Sequence, residues 1–344
     1  MKILILDYVK SDGGGKVISD YIINQIKSDQ DNKWIHITSG YPIENDNNFV
    51  NIDLPWIKKS KVHRIIFEKF YLTRIIKNNN PDLIFSLQNL GVLNFKKKQI
   101  LYVHQALPFT FNNLKISLPI KDSIKMIILK IFLIKHIKNA DYIVVQTNYM
   151  KDLISKYNEK IIVSTPKLYN NKRNSHIPSI NLIYPLNAQA YKRFDLVLEI
   201  GRILKSLNKS YQIQLTLYGN ENKSISSFKR QIKMENLNIK FIGKKTKDEL
   251  KDLYKQNNLL FTSEVESLGL PILEAINFNC KILAYRRPFV EELTCNYKDV
   301  YLFNEENINE TVIEYINDIN NIRGGEVSHT SILLDDLKKI KIFD

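Results

Sequence analysis

The sequence predicts two α/β domains, each built on a doubly wound parallel sheet, and three observations carry that reading. Short apolar runs such as Leu4-Ile5-Leu6 and Leu259-Leu260-Phe261 lack the alternation of a half-exposed strand, so they read as strands buried on both faces. Amphipathic helical stretches separate these strands. The alternation breaks once, at the polar, proline-bounded stretch from Pro166 to Pro178, and then starts again. A length of 344 residues suits two domains better than one. The expected layout is a first domain over 1–168, a linker over 169–179, a second domain over 180–325 and a tail over 326–344.

In the first half, a strand over 2–8 runs into Ser11-Asp12-Gly13-Gly14-Gly15. An amphipathic helix follows to about 26, with Val17, Ile18, Tyr21, Ile22 and Ile26 on its apolar side. Strand, glycine loop and helix is an arrangement that holds phosphates at strand C-terminal ends. It is neither G-x-G-x-x-G nor a P-loop, because no upstream Gly sits at the required distance from Lys16 and no Ser or Thr follows it. A plain turn is the equal alternative. Strands over 33–38 and 49–52, a helix over 61–78 and strands over 83–87 and 98–104 come next. The last ends in Val103-His104-Gln105, where a parallel strand gives way to its ligand-side loop. A lone histidine there is as readily structural as catalytic. Residues 115–139 place Lys115, Lys121, Lys125, Lys130, Lys135 and Lys138 among apolar runs. Two readings fit: a helix on an anionic membrane face with snorkelling lysines, or a core-facing helix with one solvated lysine edge. A strand over 141–146, a helix over 148–157 and a strand over 160–164 close the domain.

The second half repeats the pattern. A strand over 181–186 leads to a loop with Lys192 and Arg193, then a helix over 195–207. Strand 212–219, helix 223–234, strand 239–242, Gly243-Lys244-Lys245 and helix 247–255 follow. After strand 259–261 comes Ser263-Glu264-Val265-Glu266-Ser267-Leu268-Gly269-Leu270-Pro271-Ile272-Leu273-Glu274-Ala275, where chemistry-bearing residues concentrate. Pro271 opens a helix and Gly269 sits in the turn before it. A helix N-terminus offers unpaired N–H groups and a partial positive charge, which suits a phosphate or diphosphate near 267–271. Glu266 and Glu274 bracket that cradle. An anion site between two carboxylates fits a ligand with a charged middle and hydroxyl-rich ends, such as a nucleotide sugar. The ordinary alternative is macrodipole chemistry from an early-turn Glu and a routine Gly-Leu-Pro helix start. Strand 281–284 and a helix over 307–320 complete the reading.

Composition narrows the partners. Fifty Lys and Arg against 36 Asp and Glu leave +14, which favours anionic ligands or surfaces. The lysines are scattered and no zinc, helix-turn-helix or RNA-recognition motif is visible, so nucleic acid is not expected. Cys280 and Cys295 lack His or Cys neighbours at metal-ligand spacing and read as reduced structural thiols. The one Asp-x-Asp, Asp29-Gln30-Asp31, reads as a solvated loop away from the ligand edge. No run reaches the ~18–20 apolar residues of a spanning helix, and Lys2-Ile3-Leu4-Ile5-Leu6 is too short for a signal peptide core. The expected location is cytoplasmic, and of the two readings of 115–139 the membrane one would make the protein peripheral to the inner face of the plasma membrane.

Glu266-x7-Glu274, with Ser267-Leu268-Gly269-Leu270-Pro271 between, resembles the signature of retaining family-4 glycosyltransferases. Leu217-Tyr218-Gly219, Ile239-Lys240-Phe241-Ile242-Gly243 with Glu249-Leu250, and Tyr191-Lys192-Arg193-Phe194-Asp195-Leu196 are similar to motifs around that signature. Val103-His104-Gln105 with Leu107-Pro108-Phe109, and Val145-Gln146-Thr147, look like N-domain motifs of bacterial O-antigen and capsule transferases. The resemblance covers most of 1–310, strongly in the second half and loosely in the first. It implies the GT-B fold, in which two doubly wound domains face each other across a deep cleft. It further implies that Glu274 binds donor ribose, that Glu266 meets sugar hydroxyls beside the reacting carbon, and that Lys192 stabilises the leaving diphosphate. Ser267 and the backbone of Leu268, Gly269 and Leu270 would hold diphosphate and sugar. Gly14 and Gly15 would approach the phosphates, Gly243 and Lys244 the base, and His104 the sugar and acceptor. The family places an Arg before the loop lysine; here Asn187, Ala188 and Gln189 stand there, and Arg193 is the substitute expected.

The implied activity is metal-independent retaining transfer of a hexose or N-acetylhexosamine. The donor is a nucleotide sugar, UDP-linked ahead of GDP-linked, and no cofactor is needed. The acceptor is a saccharide or a polyprenyl-diphosphate-linked glycan in O-antigen, capsule or lipopolysaccharide synthesis. The competing readings are a sugar-nucleotide epimerase of the same fold and an inactive GT-B or basic binding protein.

Overall fold

A computed structural model describes residues 1–9, 13–168, 176–327 and 330–343. The chain divides into two compact units. One comprises Met1–Phe109, Lys121–Lys167 and Thr330–Asp344; the other comprises Thr110–Ile120 and Leu168–His329. Of the expected linker, 169–175 lies outside the described residues.

The first unit holds β1 (Lys2–Leu6), β2 (Lys33–Thr38), β3 (Phe49–Asp53), β4 (Leu83–Ser86), β5 (Lys98–Tyr102), β6 (Tyr142–Val145) and β7 (Ile161–Val163), followed by the two-residue β8 (Thr165–Pro166). The first seven form one sheet in the order β3-β2-β1-β4-β5-β6-β7, with every neighbouring pair parallel. Ile3–Leu6, Leu83–Phe85, Ile100, Leu101 and Ile143–Val145 have no accessible surface, as expected of strands covered on both faces. The expected helix over 61–78 is a continuous run of Lys61–Ile66, a π-helical turn at Phe67–Tyr71 and Leu72–Asn79. It stops where Asn80 turns left-handed at φ 43° before Pro81.

The second unit holds β9 (Leu182–Tyr184), β10 (Ile213–Leu215), β11 (Ile239–Phe241), β12 (Asn258–Phe261), β13 (Ile282–Tyr285) and β14 (Val300–Phe303), in the order β11-β10-β9-β12-β13-β14. All five neighbouring pairs are parallel. Both sheets therefore reverse direction once, between β1 and β4 and between β9 and β12. In open α/β sheets such switch points are where ligands bind, beyond the strand C-terminal ends.

Three features depart from the expectations. The helix Pro288–Thr294 and the strand β14 have no counterpart in the sequence reading. Within the tail over 326–344, residues 330–339 are structured: β15 (Thr330–Ser331) pairs in parallel with β8, and the helix Leu333–Lys339 buries Leu333, Leu334 and Leu337. Asp29 is not solvated. It is buried, accepts from Asn32 Nδ2 at 2.8 Å and Trp34 Nε1 at 2.9 Å, and lies 3.6 Å from Lys338 Nζ, while Asp31 stays exposed.

Candidate active site

The switch point of the second unit is where the sequence concentrates its polar residues. β9 ends at Tyr184, and its loop closes in a short 3-10 turn, Ala190–Lys192, before the helix Phe194–Ser206. β12 ends at Phe261 and passes through Thr262–Gly269 into the helix Leu270–Asn277. The two loops are stitched together. Glu264 N–H donates to the Tyr191 carbonyl at 2.8 Å, and Thr262 Oγ1 donates to the Lys192 carbonyl at 2.6 Å. Lys192 is thereby held inward and buried, and its Nζ donates to Glu266 Oε1 in an ion pair. Ser263 Oγ adds a second bond to the same oxygen at 2.8 Å. Burial pushes the Tyr191 phenol well up, with the Glu266 charge adding to it, so Tyr191 stays neutral beside the pair.

Gly269 has φ 82°, a left-handed conformation that a side chain resists. A Cβ there would also meet Ile272 Cδ1 at 3.2 Å. That turn lets the backbone change direction into the helix, with Pro271 in its first turn as expected. Leu268 is buried, and Ser267 and Leu270 are half-buried at the same turn. Glu274, one turn further, is half-buried and accepts from Tyr254 Oη at 2.9 Å, a bond the sequence does not suggest. Gly243, at φ 71°, lies under the ring of Tyr218, whose Cε1 would be 2.8 Å from an added Cβ; Lys244 beside it is exposed.

Arg193 is buried and engaged elsewhere. It grips Asp195 through Nε and Nη2, donates to Glu305 Oε1 from Nη1 at 3.1 Å, and packs its guanidinium 5.2 Å from the centre of the Tyr285 ring. Burial alone would lower its pKa, but the Asp195 and Glu305 carboxylates outweigh that and raise it. Its charge is thus met by two acids within the second unit.

In the first unit, Gly14 and Gly15 belong to the first turn of the helix Gly13–Lys27 rather than to a loop, and Gly13 is the glycine there with positive φ, 69°. His104 follows β5, half-buried; its backbone N–H donates to Asn89 Oδ1 at 2.7 Å, and Asn89 Nδ2 lies 3.0 Å from its Nε2. Asn89, buried at φ 63° after β4, therefore orients the imidazole beyond the C-terminal end of the neighbouring β5.

Sequence reasoning assigns no role to two residues that stand out here. Glu264 is 1% exposed; its Oε1 accepts from the Lys115 backbone N–H at 2.7 Å, and its Oε2 has no hydrogen-bond partner among the described residues. It fastens the segment Thr110–Ile120 to the loop that carries Glu266. Tyr218 is 64% exposed against Gly243, a flat apolar face beside the expected base site. Its motif with Leu217 and Gly219 is visible in the sequence, but nothing there shows that this tyrosine is exposed.

Two doubly wound parallel sheets, each with one switch point, make this the GT-B fold. Residues 167–323, which lie almost wholly in the second unit, match the family model of glycosyl transferases group 1. HepE from Anabaena, solved with UDP and glucose, superposes with TM-score 0.65 at 13% identity, over 93% of this chain and 90% of that one. WaaG, a glycosyltransferase involved in lipopolysaccharide biosynthesis, superposes with TM-score 0.66 at 13% identity, over 92% and 90%. The UDP-GlcNAc 2-epimerase of Methanocaldococcus jannaschii does so with TM-score 0.60 at 13% identity, over 100% and 99%. No curated protein sequence matches the chain.

Proposed function

We propose that the protein is a retaining glycosyltransferase. It moves a hexose or N-acetylhexosamine from a nucleoside-diphosphate sugar to a saccharide or polyprenyl-diphosphate-linked acceptor in the assembly of O-antigen, capsule or lipopolysaccharide. The observation that carries the reading is the Lys192–Glu266 pair beside the N-terminus of Leu270–Asn277, at the end of β12.

Transfer breaks the bond between the anomeric carbon and the diphosphate. Negative charge then builds on the leaving oxygen and positive charge on the sugar. Lys192 and the backbone N–H groups near Leu268, Gly269 and Leu270 supply the first compensation without a divalent metal. A donor of this kind, aimed at developing charge, is worth about 3–4 kcal/mol. Glu266 supplies the second and hydrogen-bonds sugar hydroxyls. Glu274, steadied by Tyr254, takes the ribose, and Tyr218 with Gly243 and Lys244 borders the base. Arg193, already paired with two acids, braces the loop, which leaves Lys192 as the principal cation of that loop for the leaving group. UDP is the preferred carrier, in keeping with the UDP seen in HepE. A role in surface polysaccharides fits the lipopolysaccharide task of WaaG.

The test is donor hydrolysis by purified protein with EDTA present, across UDP- and GDP-sugars, comparing wild type with Glu266→Ala and Glu274→Ala. Release of nucleoside diphosphate from one donor, lost in both variants, supports the reading. The fold shared with the epimerase favours one competing reading. Interconversion of two UDP-sugars with no need for an acceptor would establish it and overturn transfer.

A further inference from the structure

Two helices of the first unit turn apolar side chains outward. In Lys61–Ile66 and its continuation, Val62 is 62% exposed, Ile65 52% and Phe70 68%. In Ile120–Asn139, Ile124, Ile127 and Ile131 are 52%, 47% and 63% exposed, at the i, i+3, i+7 spacing of one helical stripe. The core-facing alternative for this helix holds only near its end, where Leu133, His136 and Ile137 are buried. Lys115 does not belong to the helix, which starts at Ile120; its backbone is bound at Glu264.

The two helices lie on the same face of the sheet. Both connect strands in the same direction across it, from β3 to β4 and from β5 to β6, and right-handed crossovers put both on one side. They also flank one loop: between β4 and β5, Val92 and Phe95 pack against the cluster that holds Phe67 and Leu72, and the Gly91 N–H donates to His136 Nδ1 at 3.2 Å. Charge is concentrated there. Residues 58–79 and 120–139 contain twelve Lys and Arg against two acids, Glu68 and Asp122, so 42 residues hold +10 of the chain's +14.

We propose that these two helices together form a docking surface for an anionic lipid bilayer. Outward isoleucines and phenylalanine enter the acyl boundary, while the flanking lysines and arginines meet lipid phosphates. A nucleic acid would take the charge but leave the apolar stripes in water. The basic residues meet such a surface by charge, so binding is reversible and weakens with salt. No helix among the described residues is long and apolar enough to cross a membrane, so this is a surface contact. The inference does not depend on the transferase reading.

The test is sedimentation of the full chain with vesicles of phosphatidylcholine alone or with a third phosphatidylglycerol. The variants are Ile65→Ser/Phe70→Ser on one helix and Ile127→Ser/Ile131→Ser on the other. Binding to the anionic vesicles, at least tenfold weaker in each double variant and weakened by salt in wild type, is the expected result. Unchanged melting temperatures show that the variants fold. The proposal is overturned if the 65/70 variant binds as wild type does. It is equally overturned if wild type binds neither vesicle, or instead forms a dimer that these substitutions dissolve.

Discussion

Breaking the Lys192–Glu266 pair tests the centre of the site. The Lys192 side chain is 8% exposed and that of Glu266 24%. Removing one partner of a buried ion pair leaves an uncompensated charge, typically destabilising by about 3–5 kcal/mol. Water reaches one side of Glu266, which puts Lys192→Met and Glu266→Gln near the lower end, about 3 kcal/mol each. For a unit of this size that lowers the melting temperature by about 6–12 °C. The double variant removes both charges and leaves neither stranded, so it recovers much of the loss, with a coupling of about 2 kcal/mol. Thermal unfolding of the four proteins, followed by circular dichroism, measures the cycle. Additive single effects, agreeing within about 0.5 kcal/mol, would show that the contact is not a buried pair and would refute the reasoning. Both single variants should also lose donor hydrolysis, and the restored stability of the double variant should not bring it back.

Glu264→Ala removes the acceptor for the Lys115 N–H and should cost about 1–3 kcal/mol, with faster tryptic cleavage after Lys115. Glu264→Gln keeps that acceptor and should protect the segment as wild type does. Gly269→Ala forces a side chain into a left-handed turn, for about 1–2 kcal/mol, and pushes on Ile272; denaturant melts should show the loss and donor titration a raised KM. Burial lowers the pKa of both His136 and His176 below the ordinary 6.5. The unfolded chain then binds more protons as pH falls below 6.5, so stability present above that value is lost as pH drops toward the folded pKa values. Urea midpoints from about pH 8 to about pH 5.5 should fall accordingly, and His136→Gln should flatten the dependence.

Much of the local geometry of the candidate site is legible in the sequence because its signals are local. Gly269 and Pro271 mark a turn into a helix, and Glu266 and Glu274 flank it by spacing alone. Lys192 is legible only by resemblance, and its bond to Glu266, 74 residues away, is not legible at all. Arg193 reads as a substitute phosphate cation, but the acids that hold it, Asp195 and Glu305, include one more than a hundred positions away, and no pattern links that one to it. Glu264 reads like any loop acid; its burial depends on a segment from the first half of the chain that closes over it. β14, four residues long, and the helix before it are too short to show a period.

The sequence by itself determined the two sheets, because strands covered on both faces must be continuously apolar and the helices between them must be amphipathic. It also determined the strand-to-helix turn that carries the acids. Only the tertiary structure decided which charges meet, which carboxylate is shut away from water, and which apolar helical faces stay outside. Those outcomes depend on contacts between residues far apart in the chain. A helical stripe of isoleucine reads the same whether it faces a core or solvent, and only the packing of the sheet beneath it determines which.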